Sequence, residues 1–159
     1  INEFGVPQKS GIRIPYQTKA RHWLSEAFDL IGTGRIVVID YALPSFPAPE
    51  NHQWLRTYKE HGRGRSPLAE PGSQDITTDV DLRQLGTERI PDSIRMQHVW
   101  LHSLGISDLV EEGKRIWSEN AANPNIEALA ARSRSAEAEA LLDPNGLGGF
   151  KVVEWEIAP

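Results

Sequence analysis

Residues 35–41, Arg-Ile-Val-Val-Ile-Asp-Tyr, predict a central β-strand. Four consecutive branched aliphatic side chains between an arginine and an aspartate are typical of a strand that is buried on both faces. Such strands occur in parallel sheets that carry helices on either side. Because ligands bind at the carboxyl ends of the strands in open α/β sheets, Asp40 and Tyr41 are the first candidates for chemistry.

A helix is predicted immediately before this strand, from Tyr16 to Ile31. Its apolar residues recur with the spacing of one helical face, and Gly32 and Gly34 end it in the manner of a helix C-cap. Helix, glycines and strand form one α-to-β step of an α/β sheet. The two glycines do not form a nucleotide-phosphate loop, because that fingerprint follows a strand and opens a helix.

The remaining pattern predicts a single α/β domain, 1–159, whose second half is mostly helical. We expect a flexible N-terminal segment at 1–11, an edge strand at 12–14, and proline-broken or basic loops at 42–51 and 61–66. Strands, some of them short, are predicted at 54–58 (or a helical turn), 76–82, 87–92 and 150–157, helices at 93–104, 107–120 and 126–142, and a turn at 143–149. Ser107 is the expected N-cap of its helix, and Asp81 alternatively caps a short helix through Leu85.

Composition excludes several classes of protein. Seventeen basic and twenty-two acidic side chains give a net charge of −5, which does not attract nucleic acid or anionic membranes. There is no cysteine, so disulfides and thiolate zinc sites are excluded. No apolar run approaches the ~20 residues of a membrane span, and we expect a cytoplasmic protein. The chain begins with Ile1 and its single methionine is Met96, so we also expect a piece of a larger protein.

Three aspartates form the strongest candidate cluster, namely Asp75, Asp79 and Asp81. Carboxylates at this spacing suit a hard metal or a general base, or they are a turn aspartate followed by solvent-facing strand residues. The preceding run of backbone-special and small polar residues, 71–77, favours a functional loop.

Two other patterns favour ordinary surface roles. His98 and His102 have the i, i+4 spacing of metal ligands but lack the glutamate of zinc hydrolases, so we expect no metal site. A basic cluster accompanies Trp54 and Tyr58 and suits either a nucleic-acid backbone or, as we prefer in an acidic chain, a solvated loop or an acidic ligand group. Its members are Arg56, Lys59, His61, Arg63 and Arg65.

Several stretches occur in an order that matches a known family. They are Arg-Ile-Val-Val-Ile-Asp-Tyr at 35–41, Trp-Leu-Arg-Thr-Tyr…His-Gly at 54–62, Pro-Leu-Ala-Glu-Pro-Gly-Ser-Gln-Asp-Ile-Thr-Thr-Asp-Val-Asp at 67–81, and Gln97 opening a helix that ends Leu-Gly-Ile at 104–106. Together they resemble the C-terminal portion of the MidA-like, S-adenosylmethionine-dependent methyltransferases (the DUF185 family), in bacterial and more narrowly actinobacterial form. The resemblance runs from about residue 12 to the end, and Glu70 replaces the family's usual aspartate.

The resemblance implies a partial Rossmann-like methyltransferase sheet, with 35–41 as its fifth strand and 150–157 as its antiparallel seventh. The family's mitochondrial member is an arginine methyltransferase that assists the assembly of respiratory complex I, so the implied acceptor is a protein arginine. The glycine-rich half that binds S-adenosylmethionine is absent from the chain. We therefore expect no activity from the chain alone, and an exposed edge at 35–41 that pairs with the missing half or a second copy.

A guanidinium acceptor needs carboxylates that bind it and take up a proton. The candidates for this role are Asp40, Asp75 and Asp79, with Tyr41, His61 and Gln97 as orienting, substrate-binding groups. No cofactor-binding residue is identified. A non-catalytic binding or assembly module is the alternative function, and nucleic-acid or membrane partners are not expected.

Overall fold

The computed structural model describes residues 15–42 and 53–158. Contacts divide the chain into two compact units, the first formed by 1–36, 40–91 and 155–159 and the second by 37–39 and 92–154. The predicted segment 1–11, the predicted strand 12–14 and most of the predicted loop 42–51 lie outside the described residues. The prediction of a single domain stays a prediction.

The architecture is mixed α/β, as the sequence predicts. Strands in the described residues are β1 (Gly34–Asp40), β2 (Leu55–Lys59), β3 (Gly62–Arg63), β4 (Asp75–Thr78), β5 (Ser93–Met96) and β6 (Lys151–Ile157). Helices in the same residues are α1 (Thr18–Leu30), α2 (Leu82–Leu85), α3 (Gln97–Ser103), α4 (Ile106–Asn120) and α5 (Ile126–Leu142), with a 3₁₀ turn at Leu147–Gly149. The six strands of the described residues form two three-stranded sheets, with strand orders β1-β6-β5 and β3-β2-β4.

Strand β1 is confirmed, but the prediction that it is buried on both faces is wrong. Ile36 is only 7% exposed, whereas Val37 and Ile39, on the opposite face, are 39% and 42% exposed. β1 also lies at the end of its sheet order. A run of apolar residues indicates that both faces of a strand can be buried. It does not indicate whether helices or strands of the same chain cover those faces.

In the first unit, α1 packs its apolar face near the end of β6. Leu24 is 1% exposed, and Phe28 meets the buried ring of Trp155 edge-on, with 5.9 Å between the ring centres. The Trp155 indole donates from Nε1 to the carbonyl of Arg89 at 2.9 Å. Residues 87–92, predicted as a strand, are turns and bends instead, and the Arg89 carbonyl lies in them.

The second sheet corrects two predictions and decides two alternatives. Residues 61–66 are not simply a flexible loop, because Gly62 and Arg63 pair with β2 after a two-residue turn in which Glu60 and His61 have φ of 48° and 65°. Residues 54–58 contribute to a strand rather than to a helical turn. β4 ends at Thr78, and the Asp81 side chain accepts a hydrogen bond from the Arg83 amide at the start of α2, as the capping alternative predicts.

In the second unit, helix α5 has its predicted bounds, whereas two other helices differ. The helix predicted at 93–104 begins only at Gln97, because Ser93–Met96 pair antiparallel with Lys151–Glu154 of β6. Helix α4 begins at Ile106 behind Gly105, whose φ of 88° favours glycine, rather than behind Ser107.

Helices α4 and α5 approach closely at Gly113. A Cβ at this position would lie 2.4 Å from Ser135 Oγ and 3.0 Å from the Ala131 carbonyl oxygen. Ala128, Ala131 and Ala138 are buried along the same face of α5. Small residues on both helices therefore set the spacing of this pair.

Gly113→Leu should lower the free energy of unfolding by about 1–3 kcal/mol or more, because the new side chain overpacks the helix contact. Urea denaturation measures the change. The matched control is Gly32→Leu, since a Cβ at Gly32 meets nothing within 4 Å. Equal effects of the two substitutions would contradict the packing explanation.

A second prediction concerns Glu154, which is 3% exposed and accepts hydrogen bonds from Arg95 and from Trp100 Nε1. Burial acts to raise the pKa of Glu154, but the bonds from Arg95 and Trp100 outweigh it and hold the pKa below its ordinary 4.5. Its stabilisation is therefore present above that ordinary pKa and is lost as the pH falls through the lower, folded-state pKa.

Glu154→Gln should be less stable than the wild type at pH 7, and the difference should shrink as the pH falls below about 4.5. Denaturation midpoints measured between pH 3 and 7 provide the comparison. A stability difference that stays constant over this range would show that the charge of Glu154 is not what stabilises the fold.

Candidate functional site

Three segments of the first unit converge where β1 ends. The amide of Val80 donates to the carbonyl of Tyr41 at 2.8 Å, and Val80 forms a parallel bridge with Ala42. The amide of Asp79 donates to the carbonyl of Trp54 at 2.8 Å. The residue after β1, the residue before β2 and the segment after β4 are thus joined through their main chains.

An ion pair lies at this junction. Arg56 Nη2 contacts Asp79 Oδ1, with the two side chains only 14% and 5% exposed. The hydrogen bond to Asp79 raises the pKa of Arg56, against the effect of burial. The Arg56 guanidinium also lies over the Tyr41 ring, 5.3 Å from its centre. Asp79 is therefore not a solvent-facing strand carboxylate, which corrects that alternative.

Two glutamines fix the segment that carries Asp79. Gln84 is fully buried; its Nε2 donates to the Pro15 carbonyl at 2.7 Å, and its Oε1 accepts from the Gln17 amide at 2.9 Å. The Gln17 side chain donates to the Asp79 carbonyl at 3.1 Å and accepts from the Asp81 amide at 3.0 Å. This network ties the start of α1 to both ends of the 79–81 segment.

Asp81 is likewise buried rather than exposed, at 3%. Burial acts to raise the pKa of Asp81, but hydrogen bonds from Arg83 and Gln84 outweigh it and hold the pKa below its ordinary value. Its carboxylate serves the helix cap and Arg83. Asp75, Asp79 and Asp81 therefore have separate surroundings, and within the described ranges no group of three or more histidine and acidic side chains is arranged to hold a metal ion.

The loop before β4 is organised by Gln74. Its Nε2 donates to the carbonyls of Ser66 and Ala69 at 2.7 and 3.0 Å, and its Oε1 accepts from the Arg65 amide at 3.1 Å. A Cβ at Gly64 would lie 2.6 Å from Gln74 Oε1 and 2.9 Å from Thr57 Cβ, so a larger residue there would require the strand or the loop to shift. Gln74, one member of the unusual run 71–77, thus has a role in the structure of the loop.

The basic cluster is largely paired within the chain. Lys59 and Arg65 both contact Glu70, at 2.8 and 3.5 Å, and the Arg63 guanidinium lies 5.2 Å from the centre of the Tyr58 ring. With Arg56 held by Asp79, four of the five predicted members have a partner. Intramolecular pairing reduces the positive charge available to a phosphate backbone.

The structure brings together three of the predicted site residues, Asp40, Tyr41 and Asp79. Asp40 is exposed, and its Oδ1 accepts from the Tyr41 amide at 2.7 Å. Of the other three predicted site residues, Asp75 is exposed opposite Tyr58, His61 lies in the β2–β3 turn, and Gln97 is buried in the second unit with its Nε2 3.4 Å from the Leu141 carbonyl oxygen.

Sequence reasoning missed Arg56 and Gln84 as parts of the site. Arg56 was one cation among five in its cluster, and its partner Asp79 is 23 residues away. Gln84 is one polar residue in a four-residue helix. Asp79 falls on the polar face of an alternating strand pattern, so the sequence carries no local signal that its carboxylate is buried and paired with a cation.

The two histidines at 98 and 102 have different partners. His98 Nδ1 lies 2.9 Å from the Gly148 carbonyl, and His102 Nδ1 lies 2.9 Å from Ser107 Oγ. Within the described part of the chain, no helix is long and apolar enough to cross a lipid bilayer.

The second unit contains an apolar cavity of about 430 Å³ between α4 and α5. Its apolar lining includes Ile106, Leu109, Val110, Ile116, Ala138 and Leu141. None of the predicted site residues lies in it. Its walls are mainly apolar and suit an apolar group, and the charged side chains of Glu112, Arg134 and Glu137 also line it.

Comparisons with known proteins identify a family for this chain. A family described as "putative S-adenosyl-L-methionine-dependent methyltransferase" matches residues 1–94, which include the whole network from Pro15 to Gln84. No curated protein matches the chain.

Two solved structures from Burkholderia thailandensis share the fold. One, an uncharacterised protein, is 21% identical with a TM-score of 0.68 over 89% of this chain and 37% of its own. The other, described as a "likely methyl transferase" bound to S-adenosyl-homocysteine, is 22% identical with a TM-score of 0.65 over 86% of this chain and 35% of its own. This chain thus spans little more than a third of their length. Since the family model covers more than half of the chain, the chain belongs to this family of S-adenosylmethionine-dependent methyltransferases.

Proposed function

We propose that this chain forms the acceptor side of an S-adenosylmethionine-dependent methyltransferase. The family match over residues 1–94 carries the proposal, because those residues include Asp40, Tyr41, Arg56 and Asp79 at the carboxyl end of β1. Ligands bind at this end of the strands in open α/β sheets. The fold shared with a protein bound to S-adenosyl-homocysteine is consistent with this location.

The acceptor in this proposal is a protein arginine, following the resemblance to the MidA-like (DUF185) methyltransferases and their complex I assembly member. Asp40 and Asp75 carry exposed carboxylates that can bind a guanidinium, and Tyr41 is 49% exposed beside Asp40. A carboxylate next to the acceptor nitrogen also takes up the proton that methylation releases. The chain's part in the reaction is therefore to bind, orient and deprotonate the acceptor.

The residues present do not fit the methyl donor by themselves. A donor-binding turn needs glycine between the end of a strand and the start of a helix. In the described residues, glycines with positive φ lie elsewhere: Gly34 opens β1, Gly72 lies in the loop before β4, and Gly105 joins two helices. We therefore assign donor binding to residues outside this chain, and the chain alone is inactive.

The exposed face of β1 is consistent with a donor-binding half that lies outside this chain. Val37 and Ile39 are apolar and exposed on an edge strand, and they would be covered either by the donor-binding half or by a second copy of the chain. The alternative function, a non-catalytic binding module, is favoured by the apolar cavity between α4 and α5, where Leu109 is 73% exposed.

Calorimetric titration with S-adenosyl-homocysteine tests whether the donor-binding site lies outside this chain. The 159-residue chain should show no micromolar binding, whereas the protein expressed with all of its encoded sequence should bind the compound. Micromolar binding to the 159 residues would refute the assignment of the donor site to another part of the protein.

Asp40→Asn should reduce methyl transfer by the full encoded protein about 100-fold, because it removes a general base. Transfer is followed as methylarginine formed in a protein extract incubated with labelled S-adenosylmethionine. Asp75→Ala, at the other exposed carboxylate, should also lower the rate. Asp29→Asn, an exposed position on α1, is the control; equal rates for Asp40→Asn, Asp75→Ala and the control would remove both carboxylates from the site.

A further inference from the structure

Tyr41 is held in two ways by one dipeptide, Asp79-Val80. Its main-chain carbonyl accepts from the Val80 amide at 2.8 Å, while its ring lies against the guanidinium that Asp79 binds. Asp79 itself is anchored to Trp54 and Gln17 through its main chain. The position of an aromatic side chain that is about half exposed is thus determined by a buried network.

The buried ion pair between Arg56 and Asp79 is not explained by a contribution to the stability of the fold. A buried ion pair contributes little net stability compared with apolar residues of similar size, because both charges lose their hydration. Here the guanidinium carbon lies 5.3 Å from the centre of the Tyr41 ring. A planar guanidinium can stack on an aromatic face, whereas the ammonium of lysine is a compact point charge. The pair is therefore better suited to orient the ring than to stabilise the fold.

We propose that Arg56 is a positioning residue that holds Tyr41 as the aromatic wall of the methyl-acceptor site. This inference rests on the proposed function. Arg56 fixes the ring, and Asp40 supplies the carboxylate beside it. Asp79 acts through Arg56: it neutralises a charge that would otherwise repel a guanidinium acceptor, and it is not itself the acceptor's carboxylate.

A double-mutant cycle on the full encoded protein tests the inference, with N-acetyl-arginine methylamide as the probe and its dissociation constant measured by NMR titration. Tyr41→Leu and Arg56→Lys should each weaken binding about fivefold, since each removes one half of the stack. The double variant should bind no more weakly than the weaker single variant. Tyr41→Phe keeps the ring and should bind like the wild type.

Arg63→Lys is the matched control, because Arg63 lies over the Tyr58 ring at 5.2 Å on the same sheet and has no proposed role in the acceptor site. Its affinity for the probe should equal that of the wild type. If Arg56→Lys fails to fold, Tyr41→Leu still tests the proposal, because Tyr41 is exposed and its replacement should not disturb the fold. In Tyr41→Leu, the loss of affinity for the probe should appear together with loss of the ring-current shift on the Arg56 side-chain protons.

Additive effects in the cycle, unchanged affinity in Tyr41→Leu, or an equal loss in Arg63→Lys would each overturn the positioning role. Failure of the proposed acceptor has a different result. If N-acetyl-lysine methylamide binds as tightly as the arginine probe, the arginine acceptor is wrong, while coupling between positions 41 and 56 would still support Arg56 as a positioning residue. Absence of binding by either probe overturns both proposals.

Discussion

The buried carboxylate of Asp79 is the constraint on which the first unit depends. A carboxylate that is 5% exposed needs a cation, and Arg56 supplies it from the neighbouring strand. Breaking such a pair leaves a buried charge alone, at about 3–5 kcal/mol. The main-chain partners of Asp79, at Trp54 and Gln17, bring β2 and the start of α1 to the same point. The end of β1 is therefore fixed by polar contacts rather than by an extended apolar core.

The elements that the sequence predicts correctly are those whose pattern is complete within one segment. α1, α5, β1 and β6 each show their periodicity or apolar run without reference to another part of the chain. The error at 93–96 depends on a partner far away in the sequence. Residues 93–96 form a strand because β6, about 60 residues later, pairs with them, and no property of Ile94 or Met96 alone indicates this. Asp81 is different, because a helix N-cap contacts the first turn of the helix that follows it, so the role can be predicted from neighbouring residues.

The candidate site divides in the same way. Asp40, Tyr41 and Asp79 can be predicted as candidates because strand ends, and aspartates that follow a run of glycine, proline and small polar residues, are local signals. The choice of Arg56 as the partner of Asp79 depends on the register of β2 against β4. This register places Arg56 opposite Thr77, and Thr77 is two residues before Asp79 in the sequence. Register is a property of two strands, so a single sequence does not determine it. Gln97 is predicted from the resemblance alone, and the structure places it, buried, in the second unit.

The distribution of polar and apolar features along the chain also bears on function. The family match ends at Ile94, and all members of the Pro15–Gln84 network precede that position. Helices α3 to α5 follow it, with the apolar cavity and the small-residue contact at Gly113. The shared fold with the longer structures extends over both parts, at 86–89% of this chain. The acceptor chemistry proposed above depends on the end of β1, where a buried ion pair contacts an exposed aromatic ring, whereas the cavity of the helical part has a mainly apolar lining that also includes Glu112, Arg134 and Glu137.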